Sequence, residues 1–264
     1  MFPASLTTTY ENLIQTYRFE GTGTAPAGLY LAAFTSDPGE TTNATELTGD
    51  GYARLDVSTL LTWTAQQLKL SADALFAAAS ADWSSVSHVA LCASITGGTA
   101  DIILRADLPT PRVITSGGQL KITSADFVFE FSTTAGLFDE GADLSGQFLF
   151  QAATAISAPT AHTAWYQAVW TSACGDDESG AEVETRVQLT GATALSVATN
   201  SATWAGDVVW SSMSVDRSLT HTSIHSASTG TGNGICWFAL DSTATLLAGD
   251  DYTFPTSGSS IGQS

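Results

Sequence analysis

Apolar and polar positions along this chain follow two different periods, and the change from one to the other is the first guide to its architecture. Tyr10, Leu13, Ile14 and Tyr17 fall at i, i+3, i+4 and i+7, the stripe of a short amphipathic helix. Beyond it the apolar runs become short. Residues 29–34 form one such run, stopped by Asp37-Pro38-Gly39, where proline and glycine supply the backbone angles of a turn. Residues 52–57 come close to strict alternation. Further strands are expected over residues 68–70, 86–93, 102–108, 120–122 and 127–131, separated by turn signals such as Gly97-Gly98 and Gly117-Gly118. That spacing suits a β-sandwich or barrel.

The same pattern then returns. The run Leu29-Tyr30-Leu31-Ala32-Ala33-Phe34-Thr35-Ser36 is answered by Trp165-Tyr166-Gln167-Ala168-Val169-Trp170-Thr171-Ser172, and Glu46-Leu47 by Glu182-Val183; both are steps of 136 residues. His88-Val89-Ala90-Leu91 is answered by His221-Thr222-Ser223-Ile224, and residues 95–104 by 228–237, at a step of 133. One short loop deletion explains the drift, and it falls between Glu46 and Arg54, because the counterpart Arg186 follows Glu182 more closely. Residues 148–156 are expected to repeat the helix, and Gly175-Asp176-Asp177 replaces the Pro-Gly turn. The expected fold is mainly β: two tandem small antiparallel β-sandwich or barrel-like domains, residues 1–135 and 136–264, each preceded by a short helix. Their junction is expected near residues 133–144.

Composition sharpens this picture. Hydrophobic residues make up 44% of the chain and charged residues 13%, about half the usual share, which favours strands with hydroxyl-rich surfaces over charged helices. Eight basic residues against 26 acidic ones leave a net charge of −18 with no basic cluster, so nucleic acid and anionic membrane are excluded as partners. The acidity serves solubility or attachment to a basic surface. Three cysteines, Cys92, Cys174 and Cys236, without CxxC spacing point to neither a disulfide framework nor a structural zinc site, and fit assembly in a reducing cytoplasm. The opening residues lack a basic n-region and an apolar run, so neither export nor membrane insertion is expected.

The run LYLAAFTSDPGETTNATELTGDGYARLDV, then ADWSSVSHVALCASITGG, then LRADLPTPRVITSGGQLKI, resembles a family of small phage virion proteins commonly described as tail fibre or minor structural proteins. The shared pattern is an apolar strand into TSDPG, a glutamate before a GYAR-like segment, a tryptophan before a histidine-bearing strand, a Gly-Gly turn and a closing strand after a proline. Residues 10–122 match it in order. The second copy keeps the skeleton but loses DPG, GYA and GG. The resemblance implies a multimeric virion β-module and supplies no catalytic residues.

Candidate chemistry is sparse. Asp37, Glu40, Glu46 and Asp50, with Asp176, Asp177, Glu178 and Glu182, place carboxylates in corresponding loops, yet without EF-hand spacing they are expected to be solvated loop charges and not a calcium site. His88 and His221 occupy equivalent strand positions. His221 and His225, like His88 and Cys92, share a strand face, but no third ligand lies nearby, so no metal or other cofactor is expected. No serine sits in GxSxG, and no short-period β-helix offers a groove for paired carboxylates. Trp165, Trp170, Trp237, Tyr30 and Tyr166 are the candidate interface or ligand residues; Trp165 and Trp170 have opposite parity, so at least one of them is expected in the core. The expectation is a non-enzymatic structural component of a tailed-phage virion, assembled in the host cytoplasm, either a capsid decoration or cement protein or a tail-fibre or adaptor protein. Its expected partners are other virion proteins and copies of itself, a trimer first. A host-glycan-binding module is the alternative.

Overall fold

A computed structural model describes residues 4–39, 45–97, 101–130, 138–160, 162, 164–175, 177–190, 194–198, 201–254 and 260–262. The chain forms two compact units. One takes Met1–Leu13, Thr24–Phe131 and Gly146–Pro159; the other takes Ile14–Gly23, Ser132–Ser145 and Thr160–Ser264.

The first unit holds strand β1 (Ala4–Leu6) and the opening turns of helix α1 (Thr8–Glu20). Nine strands follow: β2 (Tyr30–Phe34), β3 (Leu55–Asp56), β4 (Leu61–Thr64), β5 (Gln67–Leu70), β6 (Ala74–Leu75), β7 (Val86–Cys92), β8 (Ile102–Arg112), β9 (Lys121–Ile122) and β10 (Val128–Glu130). They pair antiparallel as a main sheet β1-β8-β7-β2-β3, a second sheet β10-β5-β4 and a ribbon β6-β9. Successive side chains of a strand point to opposite faces. On one face of the main sheet Ala32, Phe34, Ala90 and Cys92 pack with Ile102. On the other, Val89 and Leu91 lie against Phe127 and Phe129 of the second layer.

The second unit takes the last turns of α1, from Ile14, and the first turns of helix α2 (Asp139–Phe150). Its strands are β11 (Trp165–Trp170), β12 (Val187–Leu189), β13 (Leu195–Ala198), β14 (Ser201–Trp204), β15 (Val208–Trp210), β16 (Arg217–His225), β17 (Gly234–Leu246), β18 (Tyr252–Phe254) and β19 (Ser260–Gly262). The sheets are β12-β11-β16-β17, β13-β14-β19 and β15-β18, which repeat the first unit's β3-β2-β7-β8, β4-β5-β10 and β6-β9; β1, the edge strand beside β8, has no counterpart among the described residues. Register repeats as well. Tyr30 faces Cys92 and Phe34 faces His88 across β2 and β7; Tyr166 faces His225 and Trp170 faces His221 across β11 and β16. The isolated bridges Phe34–Glu46 and Trp170–Glu182 complete the correspondence.

The strands expected from sequence are present, with three further ones, β1, β4 and β6, that are too short to leave a period. The expected alternating strand over 52–57 is reduced to the two residues of β3. Helix α1 buries Tyr10, Ile14 and Arg18 at intervals of four, while Leu13 and Tyr17 are only half-buried. The second helix departs from expectation: it runs from Asp139 to Phe150, and residues 151–156 form turns and bends. Gly141 and Gly146 had obscured it, since glycine disfavours helix interiors. At Gly146 the packing demands that residue, because a Cβ there would lie 2.2 Å from the Trp63 ring. Part of the expected junction, residues 133–137, lies outside the described residues, as do Gly98 and Phe131.

Candidate functional site

The glutamate and arginine that recur in both copies meet in each unit. Arg54, on the approach to β3, is buried and grips Glu46 with two parallel hydrogen bonds, Nε to Oε1 at 2.7 Å and Nη2 to Oε2 at 2.7 Å. Its Nη1 donates to the Ser94 carbonyl at 2.7 Å and to Asp101. The Tyr52 hydroxyl donates to Glu46 at 2.9 Å and accepts from the Ala33 amide at 3.0 Å. Together these tie the long β2–β3 connection to the β7–β8 turn. Arg186 repeats the grip on Glu182, at 2.8 and 2.7 Å, and donates to the Ala227 carbonyl at 3.0 Å, the place that Ser94 holds in the first unit. Asn233 stands where Asp101 stands, a step of 132 and not the expected 133, because Gly234 pairs with His225 as Ile102 pairs with Cys92; Glu178 adds a second carboxylate at 3.4 Å. A fork-to-fork arginine–carboxylate pair supplies geometry as well as charge, which explains why a glutamate and an arginine frame the resemblance motif.

Around Glu178 the second unit holds a polar chain with no counterpart among the described residues of the first. The Trp170 indole N–H donates to Ser223 Oγ at 2.6 Å, Ser223 Oγ lies 2.6 Å from His225 Nε2, and His225 Nδ1 lies 3.5 Å from Glu178 Oε2, outside hydrogen-bond geometry. Glu178 Oε1 accepts the Asn233 and Gly234 amides at 2.8 and 2.6 Å. Burial, and then the positive charge of Arg186, pushes His225 down to about 3, so its ring is neutral. The order serine–histidine–carboxylate is that of a hydrolase triad. Here Ser223 and His225 have no exposed surface, and the serine oxygen already accepts the Trp170 N–H, so no substrate carbonyl reaches it.

The second unit also carries an open cleft of about 390 Å³, lined by Phe19, Glu20, His162, Trp165, Leu189 and Leu195. Trp165 forms its inner wall, edge-on to Phe19 and His162, with its N–H donated to the Phe19 carbonyl at 2.8 Å. Burial lowers the His162 pKa.

The five aromatic candidates separate by burial. Trp170 is enclosed with Phe138, Ala168 and Cys174, and Trp165 is buried on the opposite face, so both tryptophans of β11 are interior residues. The strand is covered on both sides. Trp237 is half-buried against the Trp170 cluster, its ring 5.6 Å from His221. Tyr30 and Tyr166 are half-buried at equivalent positions, and Tyr30 lies back over Gly28. Trp170 and Trp237 are thus brought together in the second unit, with Trp165 on the other face of their sheet. The acidic loops are internally engaged: Asp37 holds Arg105 at 2.7 Å and the Gly39 amide at 2.9 Å, and Asp177 holds the Ser179 amide. Glu40 and Asp176 lie outside the described residues. Among the described residues no three His, Cys, Asp or Glu side chains gather as a metal site. His88 contacts Ser87 and Asp107, and His221 contacts Thr220. Sequence reasoning missed the Arg54 and Arg186 clusters as sites, although the spacing of glutamate to arginine in both copies was visible.

These observations define a class: a tandem of one helix-and-β-sandwich unit whose recurrent polar residues brace the fold. The family model described as Podophage GP4 fiber I protein gp80 matches residues 5–130 and again residues 141–262. The chain belongs to that family and carries it twice, which makes it a phage structural protein of the fibre class, a component of the virion. No curated protein matches the chain.

Proposed function

We propose that the chain is an accessory fibre or fibre-adaptor protein of a podophage tail that acts by binding other virion proteins and copies of itself, without catalysis. The observation that carries this reading is the fibre family's match to both copies, which favours the tail over capsid decoration. The sealed Ser223 and the internally engaged carboxylates support a structural role. A trimer of two-unit chains approximates six-fold geometry, and each chain is expected to bury more than about 1,000 Å² against its neighbours. Mass mapping of purified particles, with label-guided cryo-electron microscopy, tests the assignment. A few copies at the tail, in multiples of three, are expected; hundreds over the capsid would overturn it.

The cleft beside Trp165 favours a second reading, recognition of a host glycan, since its volume and its mixture of aromatic and carboxylate groups suit a small polar ligand. Retention on purified host polysaccharide that Glu20→Gln and His162→Ala abolish would establish binding. Release of reducing ends would reveal cleavage and sink the non-catalytic reading.

A further inference from the structure

Equivalent ends of the two units share one exposed apolar position, Leu75 in the first and Val209 in the second, but differ in charge. In the first unit the ribbon β6–β9 turns Ala74 and Ile122 inward and sets Leu75 beside Lys121 on its outer face. Arg112, at the end of β8, donates to the Lys121 carbonyl at 3.2 Å, and Val113 follows it. Leu75 and Val113 are 47% and 65% exposed. Of the eight basic residues, Arg112 and Lys121 are the two that are exposed; the others are buried or half-buried. Lys121 also meets Asp73 at 2.6 Å, and exposed Asp82 accepts the Ser116 amide at 2.7 Å, the place that Asp216 holds in the second unit, so the contrast lies in the two cations and in Asp250 and Asp251.

In the second unit the ribbon β15–β18 turns Val208 and Phe254 inward and leaves Val209 beside Thr253, so the position of Lys121 has lost its charge. Val215 and Leu247 extend the patch at 49% and 60% exposure. The segments bearing them are held together by carboxylates. Asp251 accepts the Ser212 amide at 2.8 Å, Asp250 the Leu247 amide at 2.9 Å and Asp216 the Ala248 amide at 2.8 Å. All three aspartates are exposed, and the neighbouring cation, Arg217, is turned to Glu184 at 3.3 Å.

We infer that this acidic, apolar end of the second unit docks on the first-unit end of another copy of the chain. Val209, Val215 and Leu247 meet Leu75 and Val113, while Asp216, Asp250 and Asp251 face Arg112 and Lys121. The inference rests on the reading that the chain self-associates, and adds which surfaces do so. Opposite charge draws unlike ends together, and the aspartates repel a second acidic end. Because the two surfaces differ, the contact is heterologous: copies close into a ring or extend into a filament.

Sedimentation of the full chain over a range of concentration and salt reads the association directly. Wild type is expected to associate, more weakly at high salt. R112E/K121E is expected to associate roughly tenfold more weakly or worse, as loss of complementary charge implies. D216N/D250N/D251N, which keeps a side-chain oxygen for each of the three amides but removes their charge, is expected to weaken association as R112E/K121E does, and near-ultraviolet circular dichroism from the seven tryptophans reports that each variant is folded. If wild type associates and folded R112E/K121E does so equally well, these surfaces are not the contact, while self-association stands. A wild type that remains monomeric at every concentration and salt overturns both.

Discussion

The two units place the same strands in the same register around interiors of different chemistry. Where the first has Phe34, Ala90 and Cys92 on the inner face of its main sheet, the second has Trp170, Ser223 and His225, joined by hydrogen bonds. On the other face Leu31, Val89 and Leu70 give way to Gln167, Thr222 and Trp204. The Trp204 N–H donates to Gln167 at 3.0 Å, Gln167 to Thr222 at 2.9 Å and Thr222 to the Ala168 carbonyl at 2.7 Å. Six apolar positions have thus been exchanged without loss of topology, because most of the polar groups gained a partner along with their burial. The lesson is about tolerance: the frame accepts either chemistry, but a hydrogen-bonded interior is conditional on every member being present.

Four measurements press on that contrast. The largest effect is expected where the units agree. Arg54→Met leaves buried Asp101 and half-buried Glu46 without their cation, and Arg186→Met does the same to buried Glu178 and half-buried Glu182; each should cost about 3–5 kcal/mol in denaturant unfolding. A cost below about 1 kcal/mol at either site would mean that the clusters do not brace the units. Next comes acid. His225 is neutral in the fold, with a pKa of about 3, against 6.5 for the free group, so below pH 6.5 the unfolded chain binds a proton that the native chain refuses. Stability from this site is complete above pH 6.5 and declines as pH falls toward 3. His162 and His221, also lowered by burial, lie in the same unit. Between pH 6.5 and 4 tryptophan signals of the second unit should therefore melt earlier, and His225→Cys should flatten the trend; an unchanged slope would contradict the assignment.

A smaller loss, about 1–3 kcal/mol, is expected for Ser223→Ala, which strands the Trp170 N–H and His225 Nε2. Importing the first unit's whole set, Trp170→Phe with Ser223→Ala and His225→Cys, should cost less than the separate losses added together. Additivity would show that the three do not act as a unit. The smallest effect is chemical: Cys92, Cys174 and Cys236 are free and buried, and burial raises all three thiols, Cys236 to about 12. Ellman's reagent should leave them untouched in the native chain and titrate three after unfolding.

Much of the frame was legible in the chain. The returns of Tyr30 as Tyr166, Glu46 as Glu182 and His88 as His221 are spacings, and spacing survives substitution because a strand's register depends on alternation and turn length. The second helix was misplaced because Gly141 and Gly146 erase the apolar stripe, while their packing reason, such as the Trp63 ring against Gly146, lies far away in sequence. The aromatic candidates were read as surface or core by parity alone. Trp165 and Trp170 do point to opposite faces, but parity carries no information on whether a further layer covers each face, and here both are covered.

The mainly β class and the tandem follow from local periods and their recurrence along the chain, and the family follows from the motif residues of the first copy. Which charges lie inside is a matter of the fold. Arg54 and Arg186 look like any surface arginines until the long β2–β3 and β11–β12 connections fold back over the β7–β8 and β16–β17 turns, where distant carbonyls and carboxylates converge on one guanidinium. The Ser223–His225–Glu178 chain is equally invisible in sequence, because Glu178 lies 45 residues or more away and its distance is set by packing. Burial and partnership are properties of three-dimensional neighbourhoods, and a one-dimensional pattern records only which neighbourhoods are possible.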